Sequence, residues 1–216
     1  MDSASPPHAC GPQAPLTRCY WQARYDEGRT GWDRGAASPA LVGWLASGAL
    51  KPGRIVVPGC GRGHEVVALA EAGFEVTAID YAPAAVAAVR ARLVTAGAAA
   101  EVCAADLFVY EPTAPFDAVY EQTCLCALPP QRWHDYERRL WSWLVPGGIV
   151  AAAFMQTDGR EGPPFACPPD QMRALFTADR WEWPADLVAV PHPMGLVELT
   201  GLLRKRADVA SVPLAP

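Results

Sequence analysis

The spacing of apolar residues changes period repeatedly along the chain. RIVVP (54–58) and EVTAID (75–80) are short β-branched runs of strand type, while the intervening GHEVVALAEAG (63–73) has helical spacing and closes on glycine. Together they predict a strand–helix–strand unit. AAVAAVRARLVTAG (84–97) predicts the next helix, AEVCAAD (100–106) a third strand, FDAVYEQ (116–122) a fourth and PQRWHDYERRLWSWL (130–144) a further helix. After a PGG turn at 146–148, IVAAAFM (149–155) predicts a fifth strand and PPDQMRALF a short helix. WPADLVAV and LVELTGLLRK then predict a closing antiparallel pair. Strands that alternate with helices imply an α/β fold, a mostly parallel sheet covered by helices on both faces.

Residues 1–16 break this pattern with Pro, Ser, Gly and Ala, and are expected to form a flexible tail ahead of a single domain over 17–216. A chain of 216 residues that is 51% apolar can bury one large core. No apolar stretch reaches the length of a membrane span and no secretory signal is evident, so a cytoplasmic protein is expected. A net charge of −5 argues against nucleic acid or anionic membrane as partner; a monomer is favoured. The basic cluster Arg204, Lys205 and Arg206 is expected to be a solvated strand end. Seven cysteines without a C-x-x-C pair point to reduced thiols rather than a disulfide framework or zinc site. Cys124 and Cys126 are expected as buried structural thiols.

The candidate chemistry lies at the first strand-to-helix turn. Gly59, Gly61 and Gly63 occupy it, where the lack of Cβ lets a ligand approach the backbone. Asp80 ends the second strand, where a carboxylate can accept hydrogen bonds from both hydroxyls of a ribose. The G-x-G-x-G spacing, with His64 next, is not the G-x-G-x-x-G of a dinucleotide site and suits a nucleoside without a pyrophosphate. Trp21, Tyr25 and Trp32 fall within about 40° of one another on an ideal helix. Gly28 and Gly31 suggest that the last ring comes from a following loop. From spacing, this aromatic face suits packing on the sheet and covering a ligand equally well. Trp133, Trp141 and Trp143 are read as core. The histidines form no triad and no metal pair, and His64 is assigned a polar role at a helix start.

WQARYDEGRTGWDRG (21–35), VPGCGRGHEVVALA (57–70) and YEQTCLCALPP (120–130) resemble class I S-adenosylmethionine-dependent methyltransferases, specifically the thiol and halide branch of the thiopurine S-methyltransferase family. The resemblance implies a Rossmann-like, mostly parallel seven-stranded sheet with an antiparallel C-terminal strand, and S-adenosyl-L-methionine as cofactor without a metal. It implies that Trp21, Tyr25 and Trp32 line or cover the cofactor, with 17–46 as a lid. Gly59 would lie against its methionine end, Asp80 would bind its ribose, and Asp106 with Leu107 would flank its adenine, with Gly61 also binding the cofactor, while Gln122 would lie near the methyl group and orient the acceptor. A sulfonium cation benefits from aromatic faces, which favours the lid. Where the family carries Asp-Arg or Asp-Tyr, this chain has Glu121-Gln122. The implied reaction is methyl transfer by in-line displacement to a small-molecule or anionic acceptor: a thiol, thiocyanate or halide. A thiopurine, a tellurium or selenium species, a metabolite oxygen, or nucleotide binding without turnover are the alternatives.

Overall fold

The structure is a computed structural model that describes residues 16–207. Of the expected tail, only Leu16 lies within that range. The chain opens with helices α1 (Arg18–Asp26) and α2 (Pro39–Ser47). It then runs through β1 (Arg54–Pro58), α3 (His64–Glu71), β2 (Glu75–Asp80), α4 (Pro83–Ala96), β3 (Glu101–Ala104) and β4 (Phe116–Gln122). Helix α5 (Trp133–Trp143), β5 (Leu144–Gln156), α6 (Pro169–Leu175), β6 (Trp181–Glu182), β7 (Val188–Pro191) and β8 (Val197–Lys205) complete it. Seven strands lie in the order β3-β2-β1-β4-β5-β8-β6, and β7 adds an eighth by pairing with β8. The first five strands are mutually parallel and β8 runs antiparallel to β5.

Alternation along the central strands explains the layers. Ile55 and Val57 face a core shared with Val66 and Leu69 of α3, Val89 and Leu93 of α4 and Leu41 of α2. Val56 faces the opposite core, with Tyr136, Leu140 and Trp143 of α5 and Met172 of α6. A β1 buried on both faces therefore reads as a continuous apolar run. Each fully buried aliphatic side chain contributes roughly 1.5–3 kcal/mol. Trp133 and Trp143 are buried as expected; Trp141 is partly buried and carries the Lys205 ammonium over its ring.

Several expectations change in detail. The PGG segment is not a turn outside the sheet. Strand β5 begins at Leu144, which pairs with Phe116, and a register shift between Phe116 and Ala118 absorbs the irregular stretch. Of the WPADLVAV segment (183–190) only the end from Val188 is strand, as β7, and β6 lies just ahead of the segment; both run antiparallel to β8. The basic end of β8 is structural: Arg204 donates to the carbonyl of Gly147, Lys205 to those of Trp141 and Leu144, and Arg206 to that of Ala178. Cys60, Cys103, Cys124, Cys126 and Cys167 are free thiols, but Cys19 is disulfide-bonded, contrary to the reduced state expected of every cysteine.

The turn after β1 depends on one glycine in particular. Gly63 caps α3 at φ +74°, and a Cβ there would meet Val89 Cγ2 at 2.8 Å and Cγ1 at 3.0 Å. Gly73, at φ +87°, has open space at that position. Gly63→Ala should therefore cost about 2–4 kcal/mol, backbone strain plus a clash, whereas Gly73→Ala pays about 1–2 kcal/mol of strain alone. Urea denaturation measures both; equal losses would contradict the close packing of α3 against α4.

Candidate active site

Parallel strands order their carboxyl ends along one edge of the sheet, and the strand order reverses between β1 and β4. A crevice is expected at such a reversal. A cavity of about 680 Å³ lies there, bordered by Gly59 after β1, Asp80 and Tyr81 after β2, and Ala105 to Phe108 after β3. Thr123, Cys124 and Cys126 to Pro129 border it after β4, Met155 on β5 and His192 after β7. By strand order its lining falls on two sides of β1. Asp80 ends β2, and Tyr81, Asp106 and Phe108 follow β2 and β3; Cys126, Ala127, Met155, Pro163, Pro164 and Met194 belong to β5 and the segments after β4, β5 and β7.

The glycine turn is held by the neighbouring strand. Pro58 lies beside Ile79 in register, the Cys60 N–H donates to the Ile79 carbonyl, and the Gly61 N–H donates to Asp80 Oδ2 at 3.1 Å. Asp80 Oδ1 accepts from the Ala82 N–H at 2.9 Å. Burial nevertheless dominates and pushes the Asp80 carboxyl up to about 6. Gly59 sits at φ +59°, and a Cβ there would meet Cys124 Sγ at 3.0 Å.

The aromatic segment covers the cavity from one side. Helix α1 ends at Asp26, so Trp32 does come from the following loop. Its ring meets those of Trp21 and Tyr25 edge to face, at centroid distances of 5.6 and 5.9 Å. All three residues line the cavity. The segment is tied down along its length: the Tyr81 hydroxyl donates to the Leu16 carbonyl, Ala84 N–H to Gln22 Oε1, and Arg34 Nη2 to the fully buried Glu198 at 2.6 Å. His64, at the start of α3, lies 2.9 Å from Asp33 Oδ1, in keeping with a polar role there.

Of the residues singled out from the sequence, Trp21, Tyr25, Trp32, Gly59, Asp80, Asp106 and Leu107 border this one cavity. Gly61 and Gln122 instead border a smaller space of about 60 Å³, which shares Trp32, Gly59 and Thr123 with the first. The Gln122 amide donates to both Glu198 oxygens and accepts from the Tyr120 hydroxyl at 2.7 Å. It faces a polar network rather than the larger cavity. Thr123 and His192 were not visible in the sequence. Thr123 stands at φ +56°, a conformation costly for a β-branched residue and found chiefly where a site demands it. No composition or periodicity signals that.

The family model for thiopurine S-methyltransferase matches residues 16–187. The chain belongs to the thiopurine S-methyltransferase family. Relatives of this family member include "Probable thiol methyltransferase 2" of Arabidopsis thaliana, 32% identical over 146 residues, and "Thiocyanate methyltransferase 1" of the same plant, 30% identical over 148. Each alignment covers 67% of this chain and 65% of the relative, so the chain spans just under two thirds of those proteins' length. Among solved structures, the Burkholderia thailandensis 1,6-didemethyltoxoflavin-N1-methyltransferase, with bound 1,6-didemethyltoxoflavin and S-adenosylhomocysteine, superposes with a TM-score of 0.72 at 23% identity. That match covers 93% of this chain and 94% of the other, and shows the shared class I methyltransferase fold. Among the described residues, no helix is long and apolar enough to cross a membrane.

Behind the site, Glu121 is 1% exposed, accepts from Tyr136 Oη at 2.5 Å and from the Leu125 N–H at 2.9 Å, and is pushed up to about 7 by burial. A carboxyl raised on folding favours the protonated state. Its contribution is thus most stabilising at low pH and is lost as pH rises from 4.5 through about 7. Glu121→Gln removes this titration. The stability of the variant relative to wild type should rise across that window by on the order of 2–3 kcal/mol. Thermal or urea melts at pH 5 and pH 8 test it; a difference independent of pH would contradict a buried, titrating Glu121.

Proposed function

We propose that this protein transfers the methyl group of S-adenosylmethionine to a small soft nucleophile, a thiol, thiocyanate or halide. The observation that carries the reading is the two-sided cavity at the sheet reversal, polar and ribose-compatible beside Asp80, soft and largely apolar beside Met155. Its volume lies within the range of small-molecule sites. Family membership and the names of the plant relatives support the same chemistry.

S-adenosylmethionine supplies a sulfonium methyl whose C–S bond breaks as the acceptor's lone pair forms the new bond to carbon. Gly59, with no Cβ, would let the methionine end approach the turn, with Gly61 behind it. Asp80 would accept from the ribose hydroxyls, and Asp106 and Leu107, which border the same cavity, would flank the adenine. Trp21, Tyr25 and Trp32 would cover the sulfonium and exclude water, with 17–46 as the lid. Gln122, whose amide is engaged by Tyr120 and Glu198, acts as a positioning residue by fixing the end of β4 next to Thr123.

No protein nucleophile or general base is required. Burial pushes the thiols of Cys60, Cys124 and Cys126 up, which keeps them protonated. Glu121 is enclosed by Tyr136 and Leu125 and does not border the cavity. Holding a soft acceptor in line and stripped of water is sufficient catalysis for an already activated donor.

With cofactor saturating, methylation of iodide, which carries no proton, should be flat between about pH 7 and 9, whereas a thiol should follow its own ionisation near pH 8.5. Product identification from iodide, thiocyanate, bisulfide and 6-mercaptopurine, with pH–rate profiles, tests the reading. A bell-shaped iodide profile, or turnover of the thiopurine alone, would overturn it.

A further inference from the structure

Resting on the reading of the cavity as a methyl-transfer site, we propose that the Nε2–H of His192 is the hydrogen-bond donor that receives the methyl acceptor, as a neutral donor selective for soft anions. His192 follows β7 in the turn that leads to β8. The turn is rigidly specified: the His192 N–H donates to the Leu196 carbonyl at 2.9 Å, the Gly195 N–H donates to the His192 carbonyl at 3.0 Å, and Arg34 Nη1 donates to the Pro191 carbonyl at 2.7 Å.

His192 borders the larger cavity, as do Met155 and Met194, and is 4% exposed. The Met194 N–H donates to its Nδ1 at 3.3 Å. A ring nitrogen that accepts carries no proton, so the neutral ring holds its proton on Nε2. That Nε2 is buried and has no partner among the described residues. A buried donor left unpaired is costly, so an acceptor that completes it is bound favourably. Burial, and then the Arg34 charge, push the imidazole down to about 4, so it does not act as a base near neutrality.

The chemistry of the surroundings indicates the ligand class. Met155, Met194, Pro163 and Pro164 border the same side and give polarisable, apolar walls. One neutral N–H among such walls suits a large, weakly hydrated anion: thiocyanate, iodide or a thiolate. A single N–H meets one acceptor atom, and the guanidinium groups of Arg24, Arg29 and Arg132, which also border the cavity, come from α1, the loop after it and the residue before α5. The donor binds the acceptor as an anion and leaves its reacting lone pair unprotonated.

The test joins kinetics to spectroscopy. His192→Phe keeps a ring without the donor, and His192→Gln restores an N–H near the Nε2 position. In the phenylalanine variant the KM for thiocyanate and iodide should rise about ten- to a hundred-fold, with kcat changed less than about three-fold and S-adenosylhomocysteine affinity within about two-fold. The glutamine variant should recover most of the loss. On the full-length wild-type chain with S-adenosylhomocysteine, ¹⁵N–¹H spectra of the imidazoles should give His192 as the Nε2–H tautomer, with a resonance that moves on titration with thiocyanate. An unmoved resonance, an Nδ1–H tautomer, an unchanged acceptor KM, or an equal loss of S-adenosylhomocysteine affinity would each overturn the assignment. Absence of wild-type turnover with either anion would contradict the proposed function instead, and the titration would still decide whether His192 binds the anion.

Discussion

Asp80 ties together the two backbone segments on which the site depends. Its carboxylate takes the Gly61 N–H with one oxygen and the Ala82 N–H with the other, joining the turn after β1 to the start of α4. Burial works against this ion, raising its pKa to about 6, while the two amides favour it. The arrangement is possible because β1 and β2 are adjacent and in parallel register, so that Pro58 and Ile79 leave the sheet side by side. Glycines at positive φ then let the chain turn sharply enough for both helices to pack, Gly63 against Val89 most closely. A ligand at this edge meets two strand ends and two helix starts at once.

On the other side of Gly59 the constraint is different. The end of β4 is fixed from behind by Glu121, which accepts from Tyr136 and Leu125, and laterally by Gln122, which joins Tyr120 to Glu198. Arg34 shares Glu198, so the N-terminal segment, β4 and β8 meet in one buried polar network. Removing one member of a buried pair leaves the other uncompensated, so these elements are energetically coupled. Thr123, held at positive φ between the two cavities, is where the coupling reaches the ligand space.

The parts of this arrangement that were legible in the sequence are those with a local signature. RIVVP and EVTAID read as strands because burial on both faces demands unbroken β-branched runs, and β1 and β2 end where the residues indicate. The aromatic spacing of Trp21, Tyr25 and Trp32 foretold a common face, and the glycines after Tyr25 foretold its break. Helix α2 gave no such signal, since PALVGWLAS is apolar throughout and has almost no polar face. The roles of Arg34, Glu198 and His192 were not legible for another reason. Each depends on a partner far along the chain or on a turn whose register is set by the β7–β8 pairing. Cys19 shows the same limit, since spacing alone gave no sign of its disulfide.

The Asp80 carboxylate is the group proposed to receive the ribose. Raised to about 6, it would have to be ionised to accept from both hydroxyls, so cofactor binding and proton binding would compete there. Calorimetric titration of S-adenosylhomocysteine from pH 8 to pH 5 tests this directly, with Asp80→Asn as reference. Wild-type affinity should hold above about pH 7 and weaken toward ten-fold per unit below about 6, with proton release on binding, while the asparagine variant binds weakly at every pH. Wild-type affinity unchanged down to pH 5, or the same slope in the variant, would contradict it.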